Sequence, residues 1–282
     1  MIIRKGVSRI LRNYRDWIDK YIYKDYDDNP LQVKVERNKE RDYLRLADTA
    51  KQTKDAGFIN LIREEFGIVI EDEFIDDLAL TTQIVIKQSA PLYLHGYLLY
   101  GAVRKYCDEH KNLRSVNILE TGTARGFSAV VMAKGLYDSK ILGKIVTLDI
   151  LPPNKSIYWN CIRDAEGKKT RFELLGKWLD LVEDYIVFIQ GYSDITLKRL
   201  SLPMIHFAFL DGGHDYHTVK NELSYVKAHQ TADDVIVCDD YSEQQFPGLV
   251  KAVDEFISED KYRFKSFRSA SGRGYVWLSR KE

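Results

Sequence analysis

The stretch that most constrains the fold is residues 117–135, which read NILETGTARGFSAVVMAKG. Its apolar start predicts a strand ending at Glu120, and its Ala/Val/Met-rich end predicts a buried helix. The turn between them, residues 121–126, contains glycines that let a ligand come close to the backbone. Because a helix N-terminus offers free N–H groups, this pattern predicts a nucleotide-like ligand at the end of the first strand. The alternative is an ordinary βα turn that uses glycine only for its geometry.

Strands and helices alternate from residue 115 to the end of the chain. The inner strands, such as IVTLD and VIVCD, are unbroken apolar runs, which is typical of parallel strands buried on both faces. The last two are joined by a short Ser/Gly turn, which predicts an antiparallel hairpin at one edge of an α/β sheet. The predicted strands are 115–120, 144–149, 185–190, 205–211, 234–239, 262–268 and 274–279.

The first part of the chain reads differently and predicts a helical N-terminal extension, residues 1–89, before a second domain, residues 90–282. Apolar residues recur every three or four positions through residues 3–21, among many basic ones, which predicts an amphipathic helix. Such a helix must bury its apolar face, so we expect it to dock on protein, including a second copy in a homo-oligomer. Shorter helices are expected around residues 36–51, 58–66, 71–79 and 92–110.

Composition narrows the function classes. The chain has 282 residues with 42 basic and 42 acidic side chains, and this balance argues against general nucleic-acid binding. Its three cysteines are widely spaced and fit no zinc motif, as expected of a reduced intracellular protein. No apolar run is long enough for a membrane span, and no signal peptide is recognisable. These features predict a cytoplasmic protein.

Acidic residues end four of the predicted strands: Glu120, Asp149, Asp211 and Asp239. The carboxyl ends of parallel strands form the ligand crevice of an open α/β sheet. Asp149 closes the second strand, where a carboxylate is suited to accept hydrogen bonds from the two hydroxyls of a ribose. Capping of the next turn is the alternative role for this side chain.

A second acidic group follows the fourth and fifth strands. If these strands are neighbours, about 4.8 Å apart, their ends bring together three carboxylates, those of Asp211, Asp239 and Asp240. The repulsion between these carboxylates favours a bound cation such as Mg²⁺. Alternatively, Asp240 faces solvent and Asp239 caps a turn. His214 follows Gly212 and Gly213 at the same crevice, where an imidazole is suited to accept a proton or to orient a substrate.

These motifs, in this order, resemble class I S-adenosylmethionine-dependent methyltransferases. The similarity is greatest to small-molecule O-methyltransferases, including those acting on macrolide sugars, and to cephalosporin-hydroxylase-like proteins, and it covers about residues 90–282. The resemblance implies a Rossmann-like, doubly wound, seven-stranded sheet, mostly parallel, with an antiparallel last strand. The resemblance rests on these segments: ETGTARG at 120–126, Asp149, GYSD at 191–194, DGGHDY at 211–216 and DDY at 239–241.

The resemblance also implies roles for individual residues. Asp149 would hold the ribose of S-adenosylmethionine, and Asp211, also counted with the cofactor site, would bind Mg²⁺ together with Asp239 and Asp240. One departure is that many members carry a second acidic residue where this chain has Gly212 and Gly213. The methionine part would be lined by Glu120, Gly122, Thr123 and Gly126, and the adenine by Tyr192, Ser193 and Asp194.

The function predicted from these observations is methyl transfer to a hydroxyl oxygen of a small molecule, a sugar or a phenol, with possible assistance from magnesium. His214 and Asp211 are the candidate proton acceptors. A nicotinamide-dependent oxidoreductase is disfavoured because the turn lacks the G-x-G-x-x-G spacing. A non-catalytic ligand-binding or scaffold protein of the same fold is the other alternative.

Overall fold

The computed structural model describes residues 40–87 and 90–282. The amphipathic helix predicted for residues 3–21 lies outside them, so its docking and the predicted homo-oligomer stay predictions. The described chain forms one seven-stranded sheet in the order β3-β2-β1-β4-β5-β7-β6. Its strands are β1 Ser115–Thr121, β2 Leu142–Asp149, β3 Ile186–Gln190, β4 Phe207–Leu210, β5 Val235–Cys238, β6 Tyr262–Arg268 and β7 Gly274–Arg280.

The topology confirms the predicted fold class. Strands β1 to β5 pair in parallel, whereas β7 runs antiparallel to both of its neighbours, β5 and β6. The chain moves outward from β1 to β3 and then returns to place β4 on the other side of β1. This change of direction opens a crevice beyond the carboxyl ends of β1, β2 and β4, where ligands bind in sheets of this type.

Helices cover both faces of the sheet. The long helix α5 begins directly after the glycine turn, and the segment between β2 and β3 is broken into short helices instead of one long one. The α-helices are α1 Glu40–Gln52, α2 Ala56–Phe66, α3 Asp72–Thr82, α4 His95–Glu109, α5 Phe127–Asp138, α6 Arg171–Leu174, α7 Leu179–Tyr185, α8 Ser193–Thr196, α9 Tyr216–Ala228 and α10 Pro247–Ser258. Short 3-10 helices are Ile162–Glu166, Gly176–Trp178 and Leu197–Arg199.

Two apolar layers enclose the sheet, one on each face. In β4, Phe207 and Phe209 point into the layer formed with α4 and α5, while Ala208 and Leu210 point into the layer formed with α9 and α10. Successive strand residues face opposite sides, so a strand buried on both faces must be apolar throughout. This explains the unbroken apolar runs of the inner strands.

The described N-terminal helices share the first of these layers. Ile62 of α2 and Leu78 of α3 are fully buried in the same cluster as Phe209, and the ring of Phe58 lies 5.5 Å from that of Tyr275. Helices α1 to α3 therefore pack on the sheet domain, and the division of the chain at residues 89 and 90 stays a prediction. Within residues 40–87 and 90–282, no helix is long and apolar enough to cross a membrane.

Candidate functional site

The glycine turn after β1 is shaped by the close approach of the β1 and β4 ends. Gly122 has φ +88°, and a Cβ built there would lie 2.1 Å from the backbone oxygen of Asp211. No other residue fits both the conformation and the space. Gly126, with φ +92°, precedes α5 and lies against Leu175. Glycine at this position therefore lets the ends of β1 and β4 approach each other.

Asp149, at the end of β2, is fixed by two backbone hydrogen bonds. Its Oδ2 accepts from the N–H of Ala124 at 2.6 Å, and its Oδ1 accepts from the N–H of Leu151 at 2.7 Å. The two donors come from different segments, the glycine turn and the loop after β2. Each carboxylate oxygen has a second lone pair, so Asp149 can still accept hydrogen bonds from a ligand.

A cleft of about 490 Å³ opens at these strand ends. Its volume lies within the range of small-molecule sites, roughly 300–1,000 Å³. It brings together six of the predicted cofactor residues, namely Gly122, Asp149, Tyr192, Ser193, Asp194 and Asp211. The residues that sequence reasoning did not assign to a site are Ala124, Leu148, Ile150, Leu151, Gly191, Gly212, Gly213, Asp215 and Thr218.

Three residues predicted to line the methionine part, Glu120, Thr123 and Gly126, lie beneath the cleft wall instead of on it. The Glu120 side chain is fully buried, and its carboxyl accepts hydrogen bonds from the hydroxyls of Ser128 and Thr147. Burial raises the pKa of Glu120 to about 7. In this structure Glu120 therefore ties β1 to β2 and α5 instead of facing the cleft.

Asp239 is withdrawn from the predicted metal group by Arg273. The aspartate is fully buried, and Arg273 donates to both of its oxygens, Nε to Oδ1 at 2.9 Å and Nη2 to Oδ2 at 2.5 Å. Burial disfavours the charge of Arg273, but Asp239 outweighs this and raises the pKa of the guanidinium. A bidentate ion pair occupies the carboxylate oxygens that a metal would need. The predicted set of three aspartates is thus not assembled.

A different trio comes together instead: Asp211, His214 and Asp240. The Nε2 of His214 lies 2.9 Å from Oδ2 of Asp240 and 3.9 Å from Oδ1 of Asp211, and the imidazole stacks on Phe246 at 4.3 Å. Each of the three offers a ligand atom, all within 4.8 Å of one another. Desolvation and then the charge of Asp239 raise the pKa of Asp211 well above its usual value. Such crowding of negative charge favours a cation.

Glu222 of α9 is a further buried acid that sequence reasoning missed. It is fully buried, and a Cβ on Gly212 would lie 3.2 Å from its Oε1, so the carboxyl sits directly beneath the cleft. Neither oxygen has a hydrogen-bond partner within normal distance among the described residues. Burial raises the pKa of Glu222 to about 7, although the hydroxyls of Ser193 and Thr121, which lie near the carboxyl but outside normal hydrogen-bond geometry, oppose the shift. The only sequence signal was an acid in the middle of a helix, which usually indicates an exposed position.

A family model of the methyltransferase domain matches residues 119–241. The match begins within β1, contains the glycine turn and Asp149, and ends just after Asp240. Residues 119–241 are a methyltransferase domain. The family resemblance drawn from the sequence is confirmed, since the matched stretch carries the motifs on which it rested. No curated protein sequence matches the chain.

Solved structures share the fold of the methyltransferase domain and its flanking helices. The O-methyltransferase from Bacillus cereus in complex with SAH has a TM-score of 0.51 and 15% identity, covering 86% of this chain and 100% of that one. TomG from Streptomyces achromogenes, an O-methyltransferase of tomaymycin synthesis in complex with SAM, has a TM-score of 0.51 and 18% identity, covering 76% and 92%. The O-methyltransferase NovP has a TM-score of 0.53 and 16% identity, covering 74% and 99%. At these identities the likeness establishes the fold.

Glu222 gives a pH-dependent prediction for the methyltransferase domain. As pH rises from about 4.5 to 7, the carboxyl ionises in the unfolded chain but stays protonated in the fold, so its contribution to stability falls. Glu222→Gln removes this penalty. The free energy of unfolding of the variant minus that of the parent should be more favourable to the variant at about pH 8 than at about pH 4.5. We expect this change to be on the order of 2–3 kcal/mol, measured by urea unfolding at the two pH values.

The exposed Glu243 provides the matched control. Glu243→Gln should change stability little and equally at both pH values, because its carboxyl is solvated in both states. If Glu222→Gln changes the free energy of unfolding by the same amount at both pH values, the raised pKa of Glu222 would be contradicted.

Proposed function

We propose that the protein is an S-adenosylmethionine-dependent methyltransferase that methylates a hydroxyl oxygen of a small molecule. The observation that carries this proposal is the Asp149 carboxylate, held by two backbone N–H groups at the wall of a 490 Å³ cleft inside the methyltransferase domain. A carboxylate fixed in this way is suited to accept two ribose hydroxyls. The structural neighbours that bind SAM or SAH support the same assignment for the cofactor.

The cleft fits a nucleoside with an extended tail. Asp149 faces the ribose position, while Tyr192, Ser193 and Asp194 line the side assigned to adenine. Gly122 and Asp211 line the other side, which we assign to the amino-acid tail. Glu120 contributes by holding β1, β2 and α5 in place beneath the ligand.

S-adenosylmethionine supplies a methyl group that the positive sulfur has already activated. The protein then has to align donor and acceptor, and such positioning lowers a barrier by up to roughly 7–11 kcal/mol. The acceptor hydroxyl must also lose its proton. Of the two predicted acceptors, we assign this task to His214, because Asp240 and Phe246 orient its imidazole and a third of its side chain remains exposed. Acceptor identity, sugar or phenol, is set by the loops after β4 and β5.

Isothermal titration separates this function from its alternatives. We expect S-adenosylhomocysteine to bind and NADH not to bind. Asp149→Ala should weaken the affinity for S-adenosylhomocysteine by about tenfold to a hundredfold, because hydrogen bonds to a charged group are lost. Radiolabelled methyl transfer from S-adenosylmethionine to a compound in a cell extract then tests catalysis. Binding of NADH in place of S-adenosylhomocysteine would overturn the proposal, and binding without any labelled product would indicate a non-catalytic protein.

Magnesium assistance is the second part of the proposal. Asp211 and Asp240 are the carboxylates left for a cation, since Arg273 binds both oxygens of Asp239. Asp240 also lies near this arginine, with its Oδ1 3.3 Å from Nε of Arg273, so a cation there would share the carboxylate with the guanidinium. Mg²⁺ prefers oxygen ligands and commonly uses one or two carboxylates, which leaves His214 for the proton. When bound, the cation would lower the pKa of a coordinated hydroxyl. Burial is the main cause of the raised pKa of Asp211 and the charge of Asp239 is the second, and a bound cation would offset both.

Metal removal tests this part separately. After treatment with EDTA we expect methyl transfer to stop and to return on addition of Mg²⁺, while S-adenosylhomocysteine still binds. Asp240→Asn should lose Mg²⁺ binding in a titration, whereas Asp254→Asn, an exposed acid of α10, should retain it. Full activity after EDTA treatment would exclude magnesium assistance.

A further inference from the structure

A buried arginine stands behind the ribose side of the cleft. Arg171, the first residue of α6, is 1% exposed, and within the described residues the structure shows no carboxylate in salt-bridge contact with it. Its guanidinium donates to two backbone oxygens, from Nε to Ala124 at 3.0 Å and from Nη2 to Leu151 at 3.3 Å. A buried charge must be compensated, and here the two peptide carbonyls do so together with the charges of the nearby carboxyl groups of Asp149 and Glu120.

The two residues that Arg171 binds are those that bind Asp149. Ala124 and Leu151 each donate their N–H to the Asp149 carboxylate and each give their carbonyl oxygen to Arg171. The aspartate and the arginine are therefore joined through two separate segments, the glycine turn and the loop after β2. The direction of the Asp149 carboxylate depends on these two segments staying in place.

Aromatic rings hold the guanidinium in this position. Its central carbon lies 5.4 Å from the ring centre of Trp159 and 5.1 Å from that of Phe188. A capping box between Thr170 and Glu173 starts helix α6 directly at Arg171, which fixes where the side chain leaves the backbone. Arg171 can therefore act as a rigid donor instead of a flexible surface cation.

We propose that Arg171 is a positioning residue of the cofactor site, which sets the direction of the Asp149 carboxylate by binding the carbonyls of Ala124 and Leu151. The inference rests on the proposed function, because the task of Asp149 is to hold the ribose of S-adenosylmethionine. Ala124 has φ +44°, a conformation unfavourable for a residue with a side chain. The bond from Arg171 helps to keep this peptide in the orientation that Asp149 requires.

A second arginine, on β7, makes the same kind of contact and serves as a control. Arg280, at the end of β7, also donates to two backbone oxygens, those of Lys227 and Gln230. Neither of these residues lines the cleft, whereas both partners of Arg171 do. Loss of either guanidinium removes two hydrogen bonds to backbone oxygens, and the loss of the more buried Arg171 should lower stability more. Only the loss of Arg171 should weaken ligand binding specifically.

The test is titration of folded variants with S-adenosylhomocysteine. Arg171→Met should weaken binding by about tenfold or more, while Arg280→Met stays within about twofold of the parent. Arg171→Lys, which can reach only one of the two carbonyls, should fall between Arg171→Met and the parent. If Arg171→Met does not fold, the comparison of Arg171→Lys with an Arg280→Lys control gives the same contrast.

A double-mutant cycle with Asp149→Asn distinguishes positioning from general destabilisation. If Arg171 acts through Asp149, the double variant Arg171→Met/Asp149→Asn should bind S-adenosylhomocysteine within about twofold of the Asp149→Asn variant alone. Equal losses for the Arg171 and Arg280 variants, or fully additive losses in the cycle, would overturn the inference. Failure of the parent protein to bind S-adenosylhomocysteine would instead contradict the proposed function.

Discussion

The interaction on which the site depends is the pair of backbone hydrogen bonds that hold the Asp149 carboxylate. Its donors, Ala124 and Leu151, belong to segments that meet only because β1 and β2 lie side by side. The glycine turn can bring Ala124 close because Gly122 lets the end of β1 pass against the backbone of Asp211. The position of the Asp149 carboxylate is thus a consequence of both the sheet order and the geometry of the glycine turn.

Charge in the neighbouring crevice is divided between two tasks. Three aspartates follow β4 and β5, and Arg273 neutralises the most buried of them, Asp239, from the turn between β6 and β7. This leaves Asp211, which lines the cleft, and Asp240, which does not, with His214 in contact with Asp240 and 3.9 Å from Asp211. The antiparallel hairpin of β6 and β7 therefore has a second role besides forming one edge of the sheet. Its turn supplies the guanidinium of Arg273, which stabilises the acidic end of β5.

The sequence predicted the sheet well because each inner strand must be apolar on both faces, and β6 was predicted with its observed bounds, Tyr262–Arg268. It also predicted that Asp149 and Asp211 share a crevice, since both follow strand ends. It did not predict the partners supplied by irregular segments. Arg171 lies in the irregular segment between β2 and β3, and Arg273 lies in the turn between β6 and β7, and neither segment has a hydrophobic periodicity. The burial of Glu120 depends on how other side chains pack around the end of β1. Pairings of this kind are set by tertiary contacts.

A crystal structure of the protein grown with S-adenosylhomocysteine tests the central claim most directly. The account predicts density for the nucleoside in the 490 Å³ cleft, with both ribose hydroxyls within hydrogen-bond distance of the Asp149 oxygens and the sulfur on the side of Asp211. A ligand bound elsewhere, or a ribose that makes no contact with Asp149, would contradict it.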